Sequence, residues 1–227
     1  MTGATDTRTA AIVDIDGTLV DSNYQHALAW FRALRRHGVT CEIRILHHLI
    51  GMGGDQIVPE VAGDEIERDR GDAIREAEGE EFRAIMDEVT LLPGARDLLE
   101  TLASEARTVV LSSSAKPDEA ERWVDLLDAR DLLDGWTTSD DVDATKPEPD
   151  LVEAAIRLGG GGPALMIGDS SWDCRAAVRA GIPSVAVLTG GYCRDELLQA
   201  GATAVFGSLH EAAAGIVDRR LLRGALR

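Results

Sequence analysis

The chain has 227 residues, 44% of them hydrophobic and 28% charged, with a formal net charge of −17. That length suits one large domain, or a core carrying a smaller insert, in a globular protein. The acidity argues against nucleic acid as a partner, because like charge repels a phosphate backbone. No apolar run approaches the roughly 18 residues of a membrane span, and the opening MTGATDTRTA has no signal-peptide core. A cytoplasmic protein is expected, with no membrane contact. Cys41, Cys174 and Cys193 are scattered without metal-ligand spacing, as reduced thiols are.

In chain order, the apolar run Ala10 to Val13 predicts a short buried strand. Apolar positions at Tyr24, Ala27, Leu28, Phe31 and Leu34 predict a helix over Tyr24 to His37, stopped by Gly38. Helical segments follow over Glu42 to Ile50, Asp55 to Val61 and Asp64 to Val89, with no convincing strand between Ser22 and Thr90. Pro93 and Gly94 introduce another helix, and strict alternation then begins. Strands are expected at Thr108 to Leu111, Trp136 to Ser139, Ala164 to Ile167, Ser184 to Leu188 and Ala204 to Phe206. Between them lie helices at Pro117 to Ala129, Asp150 to Leu158, Asp173 to Ala180 and Arg194 to Ala200, with a last helix after the final strand. Gly159 to Gly162 precedes a strand rather than following one, so it reads as a connection and not a phosphate loop. The arginines after Asp218 (Arg219, Arg220, Arg223, Arg227) read as a solvated helix end.

Strands alternating with helices mean an α/β fold, a doubly wound parallel sheet of Rossmann-like form. The helical stretch 22–90 interrupts it as an inserted domain, leaving residues 1–21 and 91–227 as the core. In such a sheet ligands bind beyond the C-terminal ends of the strands. Four of those ends carry suggestive residues. The first strand runs into DIDGT, where Gly17 lets the chain turn so that Asp14 and Asp16 converge. Two carboxylates so placed need a cation between them or a shared proton, and either outcome suits phosphoryl transfer. An Asx turn before a helix is the plainer reading of the same residues. After VVL, Ser112, Ser113 and Ser114 offer hydroxyls and N–H groups to phosphate oxygens, or simply cap a helix. In TKPEPD, Lys146 sits on a backbone stiffened by prolines, placed to pair with a carboxylate and a phosphate oxygen, or exposed in a turn. In GDSSWD, Asp169 is positioned to join Asp14 on a hard cation such as Mg²⁺, with Asp173 supporting, or else to cap a helix.

The combination of DIDGT, the serines after a strand, KPEPD and GDSSWD resembles the haloacid dehalogenase superfamily over essentially the whole chain. It is most similar to the branch with a helical cap that holds phosphoglycolate phosphatases and β-phosphoglucomutases. The resemblance implies that Asp14 is the nucleophile forming an aspartyl-phosphate, and Asp16 the general acid and then base. It implies that Ser112 binds phosphoryl oxygens beside Ser113, and that Lys146 holds the nucleophile and the phosphoryl charge. Mg²⁺ would be ligated by Asp14, the Asp16 backbone carbonyl and Asp169, with Asp173 in support. An aspartate at position 16 argues against dehalogenation. The cap has no lysine, which argues against phosphonate hydrolysis through a Schiff base. Mutases of this branch carry an arginine at the place where the loop LIGMGGD has Gly54, and Arg44 is the nearby basic residue that could compensate at the substrate. His47 and His48 read as one partly buried and one exposed helix histidine. The expected function is a Mg²⁺-dependent phosphatase for a small phosphorylated metabolite, as a monomer or homodimer. A phosphomutase and a non-catalytic binding protein are the alternatives.

Overall fold

Ala10–Val13 (β1) is buried along its length, and its side chains divide between two apolar clusters, Ala11 and Val13 in one, Ala10 and Ile12 in the other. That division is the signature of a strand covered on both faces. The computed structural model describes residues 8–222; most of the polar opening, Arg223 and Arg227 lie outside the described residues. Val109–Ser112 (β2), Gly135–Thr137 (β3), Ala164–Gly168 (β4), Ser184–Val187 (β5) and Ala204–Phe206 (β6) join β1 in one sheet. The strands are parallel throughout, in the order β3-β2-β1-β4-β5-β6. The chain therefore builds outward on one side of β1, then crosses over and builds outward on the other. The reversal falls between β1 and β4, which places a crevice at their C-terminal ends.

Ala95–Glu105 (α4), Pro117–Leu127 (α5) and Leu209–Asp218 (α9) cover one face and bury Leu98, Leu102, Trp123 and Ile216 there. Asp150–Leu158 (α6) and Ser171–Arg179 (α7) cover the other with Val152, Ala155 and Ala176. Arg194–Gln199 (α8) packs Leu197 against Ala186 and Val205. The α/β, doubly wound reading of the sequence is the fold observed. Helix α7 begins two residues earlier than expected, because Ser170 and not Asp169 is its N-cap. The Ser170 hydroxyl accepts the Asp173 N–H at 3.2 Å while an Asp173 carboxylate oxygen accepts the Ser170 N–H at 3.1 Å. This is a capping box, and it fixes the Asp173 side chain.

Between β1 and α4 the chain is helical: Asn23–Arg36 (α1), Ile43–Leu49 (α2) and Gly54–Arg83 (α3). Helix α3 is broken at Gly63, where φ is +83°, and again at Arg70. The first break is the gap expected between Val61 and Asp64. The helix ends at Arg83 rather than Val89, and Met86–Glu88 tightens into a 3₁₀ turn. This block has an apolar cluster of its own around Trp30, Leu34, Leu46, Ile57, Val58 and Ile74. Among the described residues no helix is long and apolar enough to cross a membrane.

Candidate active site

Lys146 is fully buried, and three oxygens explain how an ammonium can be. It contacts Asp14 Oδ1, lies 2.8 Å from Asp173 Oδ1 and donates to the Ser112 carbonyl at 2.9 Å. Burial opposes its charge, but the Asp14 and Asp173 carboxylates outweigh that and hold its pKa above the ordinary lysine value. The segment carrying it includes a cis Lys146–Pro147 peptide bond.

Asp14 leaves β1 at its C-terminal end and is buried. Thr18 Oγ1 lies 3.1 Å from Asp14 Oδ2 but only 2.6 Å from Asp169 Oδ1. One hydroxyl has one proton, so the shorter contact takes it and Asp14 Oδ2 keeps its lone pairs. Asp169, at the end of β4, also accepts from Asn23 Nδ2 at 3.0 Å. Burial, with Asp173 beside it, pushes the Asp169 carboxyl up to about 7. Asp14 is raised for the same two reasons.

The carboxylate oxygens of Asp14, Asp169 and Asp173 lie within 4.8 Å of one another, all three residues buried. They face a single ammonium. The excess negative charge and the all-oxygen donor set fit a hard divalent cation, and Mg²⁺ is such an ion. Asn23 Oδ1, on the residue that bonds Asp169, is buried with no hydrogen-bond partner.

Asp16 lines the same cavity as Asp14 but belongs to another network. Ser22 Oγ donates to its Oδ1 at 2.7 Å, Ser113 Oγ approaches its Oδ2 at 3.4 Å, and His26 Nε2 lies 3.6 Å from Oδ1. His26 reaches Glu119 with Nε2 and Glu78 with Nδ1, each at 3.1 Å, and stacks on Phe82 with ring centroids 3.7 Å apart. Burial works against the imidazolium, but Glu119, Asp16 and Glu78 together raise its pKa well above the histidine value. Burial likewise works against the Asp16 carboxylate; His26 and Ser22 overcome it and lower its pKa. The Asp16 carboxylate thus stays ionised by pairing with a cation on α1, not by sharing the Asp14 site.

The remaining expected residues take different places around the cavity. The Ser112 hydroxyl is buried without a partner, and the Ser112 carbonyl accepts from Lys146. The reason is the strand: Ser112 is still within β2, while Ser113, one residue on, leaves it and turns its hydroxyl to Asp16. Gly54 lines the cavity as expected. Arg44 does not: its side chain is 73% exposed on α2 and pairs with Glu42 at 2.7 Å. His47 is half-buried, stacked on Tyr24, and His48 is exposed.

The cavity holds about 250 Å³ between Asp14 and Asp16 on one side and Trp30, Met52, Arg75 and Phe82 of the helical block on the other. Sequence reasoning missed Asn23, His26, Glu78, Arg75 and Glu119. The apolar stripe predicts the helix from Tyr24 but says nothing of the polar positions Asn23 and His26, which reach Asp169 and Asp16. Thr18 and Thr145 were within reach, since each adjoins a motif already singled out.

A haloacid dehalogenase-like hydrolase family model matches residues 9–181. Validoxylamine A 7'-phosphate phosphatase of Streptomyces hygroscopicus subsp. limoneus is 31% identical over 185 residues, 79% of this chain and 85% of that protein. Phosphoglycolate phosphatase of Rhodobacter capsulatus is 30% identical over 195 residues, 83% of this chain and 87% of that one. The crystal structure of a hydrolase from Pseudomonas syringae superposes with a TM-score of 0.86 at 32% identity, covering 93% of this chain and 99% of its own.

Proposed function

This chain belongs to the haloacid dehalogenase-like hydrolases and is a phosphatase, and from that premise we propose a Mg²⁺-dependent hydrolase of a small organic phosphate monoester, working through an aspartyl-phosphate on Asp14. The observation that carries the reading is the separation of the two aspartates. Asp14 has an uncommitted oxygen and a buried ammonium on the other, while Asp16 is held apart with its own hydrogen-bond partners. One is prepared to attack and the other to move a proton.

In the first step Asp14 Oδ2 attacks phosphorus, the bond from phosphorus to the ester oxygen breaks, and Asp16 delivers a proton to the departing oxygen. Asp16 is ionised in the resting site, so it takes up a proton before this step, and the proton that water gives it in the second step restores that acid form. In the second step Asp16, now ionised, takes a proton from water as the water oxygen attacks phosphorus, releasing phosphate and restoring Asp14. Lys146 holds Asp14 in place and offsets charge as it builds on the phosphoryl oxygens, and Ser113 supplies a hydroxyl donor to them. Mg²⁺, held by Asp14, the Asp16 carbonyl and Asp169 with Asp173 behind them, would neutralise the phosphoryl group and orient it.

Residues 22–90 serve as a cap over a core made of residues 1–21 and 91–227, excluding bulk water during transfer. Relatives named for a validoxylamine phosphate and for phosphoglycolate support a small metabolite as substrate, and a cytoplasmic location goes with that. The mutase alternative loses support at Gly54. A Cβ there would lie 2.9 Å from Arg75 Cγ and 3.0 Å from Trp30 Cη2, so the place of the mutase arginine is already filled.

The test is phosphate release from an aryl phosphate. Activity should vanish with EDTA, return with Mg²⁺, and fall by about 10⁴-fold or more in Asp14→Asn. Borohydride added during turnover should convert residue 14 to homoserine, which mass spectrometry detects. Metal-independent hydrolysis, or an active Asp14→Asn protein, would sink the reading.

A further inference from the structure

We propose that Asp55 is a positioning residue that fastens the loop 51–55 of the helical block to Thr145, the neighbour of Lys146, and so keeps the active site assembled during turnover. The proposal rests on the phosphatase reading above. Thr145 is buried, and its hydroxyl and its backbone N–H both go to this one loop. Gly53 N–H donates to Thr145 Oγ1 at 3.0 Å, Thr145 Oγ1 donates to Asp55 Oδ1, and Thr145 N–H donates to Asp55 Oδ2 at 3.1 Å. Both oxygens of one carboxylate therefore engage both donors of one residue ninety positions away. The approach is possible only because residue 53 is glycine: a Cβ there would sit 2.3 Å from Thr145 Oγ1. The loop also accepts a hydrogen bond at Gly51 O from Ser114 Oγ, at 3.2 Å. It thus touches both core segments that carry the phosphoryl-binding groups, next to Ser113 on one side and next to Lys146 on the other.

An acidic residue in the first turn of a helix has a simpler use, stabilising the helix dipole. Asp55 departs from that use. Helix α3 has no side-chain cap, and the carboxylate of Asp55 turns away to Thr145, with Gln56 Nε2 adding a donor at 2.8 Å. A carboxylate hydrogen bond is stronger than a neutral one and directional, so two on a single residue fix the backbone entering Lys146. Releasing them lets the loop lift, admits water and frees the lysine stem to shift. Displacement of about 1 Å at a reacting group can cost on the order of 100-fold in rate. The loss should fall on the chemical step more than on substrate binding.

The experiment is a double-mutant cycle in the full chain, read as kcat and KM on an aryl phosphate, with Asp14→Asn as the inactive reference. Asp55→Ala and Thr145→Val should each lower kcat by about 10- to 100-fold with KM changed by less. The double variant should be no slower than the slower single, because both remove the same contact. Thr145→Ser, which keeps the hydroxyl, should recover most of the loss. If Asp55→Ala does not fold, the near-isosteric Asp55→Asn carries the same cycle, since its amide nitrogen cannot accept from Thr145. Multiplying losses in the double variant, an equal fall in Thr145→Ser and Thr145→Val, or wild-type kcat in Asp55→Ala would each overturn the latch and leave the phosphatase reading standing. A wild-type protein that releases no phosphate would overturn both.

Discussion

The buried active site and the outer surface of the helical block both carry networks of charged residues, yet the two use charge differently. In the core, Asp14, Asp169, Asp173 and Lys146 are buried and arrive from the ends of separate segments of chain. In the helical block, Arg36 with Glu80 and Arg44 with Glu42 are paired in the open, their side chains about half exposed or more. Water screens the second kind and is excluded from the first. The contrast teaches that in this chain burial, and not the count of ion pairs, marks where charge does chemistry.

Lys146→Met breaks that contrast at its strongest point. It removes the ammonium facing three buried carboxylates, and breaking a buried pair costs about 3–5 kcal/mol. In EDTA the melting temperature should fall by about 10 °C, and phosphate release should vanish. Arg36→Ala, which breaks two exposed pairs, should leave the melting temperature where it is. Equal shifts in the two variants would mean that the buried cluster is no different in kind from the surface.

Within the core, two adjacent serines sharpen the same point. Ser113→Ala removes a hydroxyl that faces Asp16, and loss of such a donor should lower kcat by about 100-fold. Ser112→Ala removes a buried hydroxyl that has no partner, and the carbonyl that serves Lys146 remains. Its kcat should stay within about threefold of wild type, a difference under 1 kcal/mol. The reverse order would place the phosphoryl contact at Ser112, as the family resemblance implies.

The two serines mark where reading the sequence stops. The core was legible because pattern and position coincide: short apolar runs marked the strands, DIDGT, the serines and GDSSWD each leave a strand end, and Lys146 follows β3 after a short turn, so the sheet gathers Asp14, Lys146 and Asp169 at one edge. A one-residue difference in where β2 ends decides whether Ser112 or Ser113 turns its hydroxyl to Asp16, since neighbouring side chains on a strand point opposite ways. Asp14 and Asp16 were expected to converge. They share a cavity, but His26 draws Asp16 into a separate pair, and His26 comes from a helix whose apolar stripe said nothing of its polar face. The helical block was legible as helices, with even the break at Gly63 foreseen. Its contacts with the core were not, because Asp55 with Thr145 and Glu78 with His26 depend on how one unit sits against the other.

Gly54 tests that boundary from the side of the helical block. Gly54→Arg places the mutase residue where Trp30 and Arg75 already sit, so the loop must shift to admit it. Overpacking of this kind costs about 1–3 kcal/mol, and the melting temperature should drop accordingly. KM for an aryl phosphate should rise, and no bisphosphate-primed isomerisation should appear. Isomerase activity in this variant would show that a single residue, and not the packing around it, separates the two reactions.

The smallest effect is the most direct check on the comparison. Arg44 is the basic residue that the sequence offers to the substrate, and the structure leaves it exposed on α2, paired with Glu42 and outside the cavity lining. Arg44→Ala should leave kcat and KM within about twofold of wild type, because an exposed pair contributes little and screened charge does not reach the cavity. A larger rise in KM, removed by raising the salt concentration, would mean that Arg44 steers an anionic substrate from a distance. Charge on the surface of the helical block would then share in function, and burial alone would no longer divide the working charges from the rest.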